Sequence, residues 1–196
     1  TYEVDLGGVA CVMLDLPGLD GSRTASDAVM AELTDADMVI WVTRANRPAR
    51  DVDRKAMADL RTFFADHPER REPPLIAVAT CMDVLSEGWP YPEHLLPPEA
   101  LSEISRTVAS IGADIHAENP IPVVLTDPEW NVDAVRTTIE GALIDALMTQ
   151  RNRVRTGVAR TSLPREIFRA GRGFAKGISV FGSRPGRPDR SDDDEA

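Results

Sequence analysis

The chain has 196 residues and a net charge of −10, a length that suits one domain with an appendage. Residues 1–150 carry 11 basic and 26 acidic side chains, whereas residues 151–190 carry 11 basic and 2 acidic ones, so the acidic body argues against DNA and leaves the basic stretch to meet any anionic partner. Cys11 and Cys81 are too few for a disulfide framework, His67, His94 and His116 lack ligand spacing, and no apolar run reaches the roughly 18 residues of a membrane span.

The first elements come quickly. Residues 2–6 read as a short extended segment, and Gly7-Gly8 as a two-residue hairpin turn. Residues 9–15 read as a buried strand, because the run Val-Ala-Cys-Val-Met-Leu is almost wholly apolar. Pro17 and Gly18 then force a turn. Asp15 thus sits at the carboxyl end of a buried strand, where open α/β sheets bind ligands. It can hold a hard cation such as Mg²⁺ through water. Backbone amides near Gly18 can approach an anion closely, because no Cβ is in the way. Together they predict a phosphate–magnesium site.

Residues 20–26 read as a polar loop and 25–33 as a helix with Ala28, Val29 and Leu33 apolar at helical spacing. Residues 38–43 form a second apolar strand. A helix over 51–64 lines up Met57, Leu60, Phe63 and Phe64. A third strand covers 75–80 and leads into Thr80-Cys-Met-Asp83. Residues 84–98 are rich in proline and aromatics and read as a packed irregular loop. A helix follows over 98–111, with Leu101, Ile104, Val108 and Ile111 on one face. Residues 120–125 form a fourth apolar strand running into Thr126-Asp127. The stripe Val132, Val135, Ile139, Leu143 and Leu147 predicts the last helix of the body.

Asp15-Leu-Pro-Gly18 resembles the Asp-x-Pro-Gly motif of the Era-like branch of Ras-like P-loop GTPases, a group that includes ribosome-binding and dynamin-like members. The order of elements matches as well as the letters. The family precedes this motif with an antiparallel hairpin partner, and its guanine-reading motif, Asn/Thr-Lys-x-Asp, aligns with Thr80-Cys81-Met82-Asp83. Thr126-Asp127 stands where the family places backbone amides around the base, and "WNVDAV" resembles the opening of its last helix. The resemblance covers residues 2–150. It implies a three-layer α/β domain that binds GTP or GDP with Mg²⁺ through Asp15, Gly18, Thr80, Cys81, Asp83, Thr126 and Asp127. Asp83 would accept from guanine N1–H and the 2-amino group, which adenine does not offer as a pair. Cys81 departs from the pattern, since a cysteine cannot lay a long stem across the base. Leu19 stands where Ras has a water-orienting glutamine, so no catalytic residue is assigned.

No Gly-x-x-x-x-Gly-Lys-Ser/Thr occurs in the chain, and Gly171-Arg-Gly-Phe-Ala-Lys-Gly177 does not replace it, because no strand precedes it and no Ser or Thr follows the lysine. The chain starts at Thr1 rather than Met. It therefore reads as a GTPase domain lacking its first strand, phosphate loop, first helix and first switch. The sheet should then show a gap or a strained pairing between the strands at Val9 and Met38, with Asp15, Asp83 and Thr126 on one face. Such a fragment is expected to be inactive alone, and the entire domain to hydrolyse GTP to GDP. The competing reading is a non-hydrolysing interaction module that keeps the fold without the chemistry.

Residues 151–183 interleave Leu163, Ile167, Phe174, Ile178 and Phe181 with Arg165, Arg169, Arg172 and Lys176. They read as a basic amphipathic helical arm broken by glycines. Its apolar face either packs on the acidic body or docks on an anionic membrane or ribosomal RNA. Residues 184–196 read as a disordered tail. The whole implies a cytoplasmic protein, peripheral at the inner membrane if the arm binds lipid.

Overall fold

A computed structural model describes residues 1–19, 23–47, 49–85, 87–91 and 95–157. Gly7 and Gly8 join β1 (Tyr2–Leu6) to β2 (Val9–Met13). Their φ angles are +58° and +84°, the hand a two-residue hairpin turn requires and glycine adopts without steric cost. The Gly8 N–H donates to the Asp5 carboxylate at 2.9 Å. The antiparallel register runs from Tyr2 opposite Met13 to Leu6 opposite Val9.

β2 departs from expectation in two ways. It ends at Met13 rather than Asp15, and it is not buried: Val12 is 40% and Met13 39% exposed. Both follow from its pairing. Among the described residues β2 has β1 as its one ladder partner and no ladder joins it to β3, so the strands divide into a sheet of two and a sheet of three. The strands at Val9 and Met38, expected to show a gap or a strained pairing, are not paired with each other among the described residues. Without a neighbour on its second edge, β2 loses the hydrogen bonds that would carry it to Asp15.

The larger sheet is parallel, in the order β3 (Val39–Arg44), β4 (Leu75–Thr80) and β5 (Ile121–Pro122). β3 and β4 pair from Val39 opposite Leu75 to Arg44 opposite Thr80. The continuous apolar run of β4 is covered on both faces, whereas β3 buries Val39, Trp41 and Thr43 on one face and exposes Val42 and Arg44 on the other. Ala77 and Ala79 face a core built with Val29 and Leu33 of α1 (Arg23–Asp35), Met57, Leu60 and Phe64 of α2 (Asp51–Asp66), and Ile104, Ile111 and Ile115 of α3 (Pro98–Ile115). Ile76, Val78 and Val123 face Ile139 of α4 (Val132–Arg155). The result is a mixed α/β fold, a three-strand parallel sheet flanked by helices. None of the described helices is long and apolar enough to cross a membrane.

Three boundaries differ from the sequence reading. β5 spans only Ile121–Pro122, because the chain then bends so that Val124 and Trp130 exchange backbone hydrogen bonds of 3.0 Å. α3 continues through Gly112 to Ile115, and His116 ends it in the left-handed conformation at φ 51°. α4 runs past Gln150, where the body was expected to end, to Arg155. Its last turns are tied down by Asn152, which accepts from the Arg71 N–H at 2.7 Å, and by Arg153 on Asp37. From residue 158 onward the expected arm and the 184–196 tail lie outside the described residues, as do residues 20–22 of the expected polar loop.

Candidate nucleotide site at the carboxyl edge of the sheet

β4 ends at Thr80, whose buried hydroxyl donates to the Thr43 carbonyl at 3.3 Å. That bond laces β4 to β3 beneath the site. Cys81 then adopts φ +61°, a left-handed conformation that costs a non-glycine residue about 1 kcal/mol or more. The turn drives Met82 into the core, where it is fully buried, and begins a 3₁₀ turn over Met82–Leu85. Asp83 is thereby left half-buried at the sheet's edge.

The loop after β5 leaves the sheet beside it. The Val123 N–H donates to the Ala79 carbonyl at 2.8 Å, and the Met82 N–H donates to the Val123 carbonyl at 3.5 Å. Thr126 and Asp127 follow, both exposed. Asn131 closes the loop by donating its side-chain N–H to the Pro122 carbonyl at 2.8 Å. The two loops also share an aromatic layer: Trp89 meets Trp130 edge to face at 6.2 Å, and Tyr91 at 6.0 Å. The structure thus brings Thr80, Cys81, Asp83, Thr126 and Asp127 to one edge. The aromatic layer was not assigned from sequence, although a tryptophan in each loop was its visible signal.

Asp15 and Gly18 lie beyond the end of β2, outside the described ladders. Both are exposed, while Leu16 and Leu19 pack against the core that holds Met82 and Val124, with Trp89 and Trp130 on its margin. A Cβ on Gly18 would meet no protein atom within 4 Å, so the fold itself makes no demand for glycine there. Asp15 contributes a single carboxylate. Among the described residues no group of three or more His, Cys, Asp or Glu side chains could hold a metal. One carboxylate suits Mg²⁺ held mainly by phosphate and water rather than by a protein cage.

A second polar cluster, unseen in the sequence, lies at the start of α2. Buried Arg50 donates to Asp114 at 3.0 Å, and Arg54 donates to the other carboxylate oxygen at 2.8 Å. The hydrogen bonds from Arg54 and then Arg50 hold Asp114 below the ordinary carboxylate range. Asp53 is pushed the other way by burial, against the pull of Arg47 and Arg50. Arg50 and Arg54 thus fasten α2 to α3.

The sheet edge offers an acceptor carboxylate, loop amides and aromatic faces. No protein-family model matches this chain, nor does any curated protein or solved structure.

Proposed function

We propose that residues 1–157 are the greater part of a guanine-nucleotide-binding domain of the Ras-like type, Era-like branch. The observation that carries this reading is the division of the sheet. An antiparallel hairpin leads into the Asp15 loop, an opening follows, and then come parallel strands, the second of which leads into Asp83. β2 and β3 each carry exposed apolar side chains, with Val42 58% exposed on the α4 side of β3. A strand carrying a phosphate loop would cover them; residues 1–196 contain no such loop.

In this reading Asp83 accepts from guanine N1–H and the 2-amino group, each charge-assisted bond contributing about 1.5–3 kcal/mol. Amides of Thr126 and Asp127 surround the base, with the Trp89–Trp130 layer behind it. The glycine that the fold does not require, Gly18, leaves room for a phosphate. Asp15 would hold Mg²⁺, whose charge would offset that of the phosphates. In the entire domain, water would attack the γ-phosphorus in line, its P–O bond forming as the bond from the γ-phosphorus to the β–γ bridging oxygen breaks, so that GDP and inorganic phosphate leave. A second reading, a non-hydrolysing module, is favoured by Leu19, which packs against the core in the place of a water-orienting group.

Trp89 and Trp130 supply the test. Without a phosphate loop the chain should bind GDP with Kd of about 1 mM, the scale of roughly 4 kcal/mol. Titration should quench or shift tryptophan emission with GDP and not with ADP. Equal responses to the two nucleotides would remove guanine recognition.

A further inference from the structure

The outward face of the last turns of α4 is apolar and basic at once. Ile144 is 70% and Met148 54% exposed, with Leu147 and Val154 exposed beside them. Arg151 and Arg155 are exposed as well. Positions 144, 148, 151 and 155 follow the three- and four-residue steps of one helix face. The opposite face buries Ile139, Leu143, Ala146 and Thr149. Asp145 accepts from Arg71 at 2.6 Å and Arg153 pairs with Asp37, while Glu140, one turn before Ile144, is exposed. Arg151 and Arg155 have no ion-pair partner among the described residues.

We infer that this face of α4 is a contact surface for an anionic membrane. Ile144, Leu147 and Met148 would enter the boundary between headgroups and acyl chains, while Arg151 and Arg155 reach lipid phosphates with their stems on the apolar side. Charge complementarity selects the partner. Residues 1–150 carry a net charge of −15, so an anionic surface is repelled elsewhere and oriented onto this face. The sequence beyond continues the same mixture, with 8 basic against 2 acidic residues over 158–190. RNA fits less well, because four aliphatic side chains gain little from a phosphodiester backbone and no aromatic stands on the face to stack on a base. A two-fold contact between copies would oppose Arg151 and Arg155 to themselves. The inference is independent of nucleotide binding.

The test is co-sedimentation of the full 196-residue chain with vesicles of phosphatidylglycerol and phosphatidylcholine in equal parts, and with pure phosphatidylcholine. Binding should require the anionic lipid and weaken with salt. The double variant Ile144→Asp/Met148→Asp should lower partitioning at least about tenfold, and Arg151→Glu/Arg155→Glu by about tenfold or more. Leu101→Asp, at an exposed position on α3, should leave it unchanged. Circular dichroism melts should match wild type, since all these positions are exposed. The inference is overturned if wild type fails to bind, if it binds neutral vesicles equally, or if the α4 variants bind as wild type does. It is also overturned if RNA displaces the protein from vesicles, or if wild type self-associates through this face and Ile144→Asp/Met148→Asp disperses it.

Discussion

Asp37 and Arg153 meet across 116 residues of sequence as a two-pronged pair, with Nε donating to one carboxylate oxygen at 3.0 Å and a terminal guanidinium nitrogen to the other at 2.9 Å. The contact fastens the last turn of α4 to the residues just before β3. Both side chains are partly sheltered, at 12% and 28% exposure. The pair should therefore contribute more than an open surface bridge, whose median is about 0–1 kcal/mol. Arg153→Ala is expected to destabilise by about 2 kcal/mol in urea, with a coupling of about 1 kcal/mol to Asp37→Asn in a double-mutant cycle. A coupling near zero would reduce the pair to a surface contact.

Two glycines in helices should respond to alanine with opposite signs. Gly141 stands in α4 with nothing within 4 Å of an added Cβ, whereas the Cβ at Gly112 in α3 would lie 2.9 Å from the Ala117 carbonyl oxygen and 3.2 Å from Pro120. Gly141→Ala should stabilise by about 0.5–1 kcal/mol through helix propensity. Gly112→Ala receives the same propensity gain but must push backbone aside, and is expected to destabilise by about 1 kcal/mol or more. Thermal melts of the two variants check the pair, and a stabilised Gly112→Ala would show that the Ala117 turn yields freely.

Asp53 and Asp114 should shape the pH dependence of stability in opposite directions. Burial raises the Asp53 carboxyl above its ordinary value of 3.8, so the folded state holds that proton more tightly than the unfolded one. Its contribution is present at low pH and lost as pH rises through the folded value. The stability of Asp53→Asn relative to wild type should accordingly improve as pH climbs from acid toward neutral. Asp114 is held below 3.8 by Arg54 and Arg50, so its contribution is present above 3.8 and lost as pH falls through the lowered value. Asp114→Asn should flatten the acid limb. Urea midpoints measured across this range decide both, and trends of the reverse sign would contradict the assignments.

Elements defined by local pattern were legible from the sequence, and contacts defined by partners were not. The runs at Val39 and Leu75 gave strands to within a residue because each is apolar over a strand's length, with β4 covered on both faces and β3 on one. Gly7-Gly8 identified the hairpin because few residues accept positive φ twice in succession. β2 misled because its apolar run resembles theirs, although among the described residues no strand pairs with its second edge. The Arg50–Asp114 bond spans 64 residues, and the Trp89–Trp130 contact joins two loops, so neither leaves a local periodicity. At the candidate site, Asp83 and Thr126 follow the carboxyl ends of β4 and β5, which are parallel neighbours. Sequence order could not show that the Thr80 hydroxyl is spent on Thr43.

The account rests most heavily on Asp83 reading guanine. The direct measurement is a titration of wild type and Asp83→Asn with GDP, XDP and ADP, followed by tryptophan emission. Wild type should prefer GDP over ADP and XDP. In Asp83→Asn the amide N–H can donate to the 2-oxo group of xanthine and no longer accepts two donors from guanine, so preference should pass to XDP, with GDP weakened by about tenfold or more. A variant that keeps the wild-type order of nucleotides would show that Asp83 does not touch the base, and the guanine-binding account would fail.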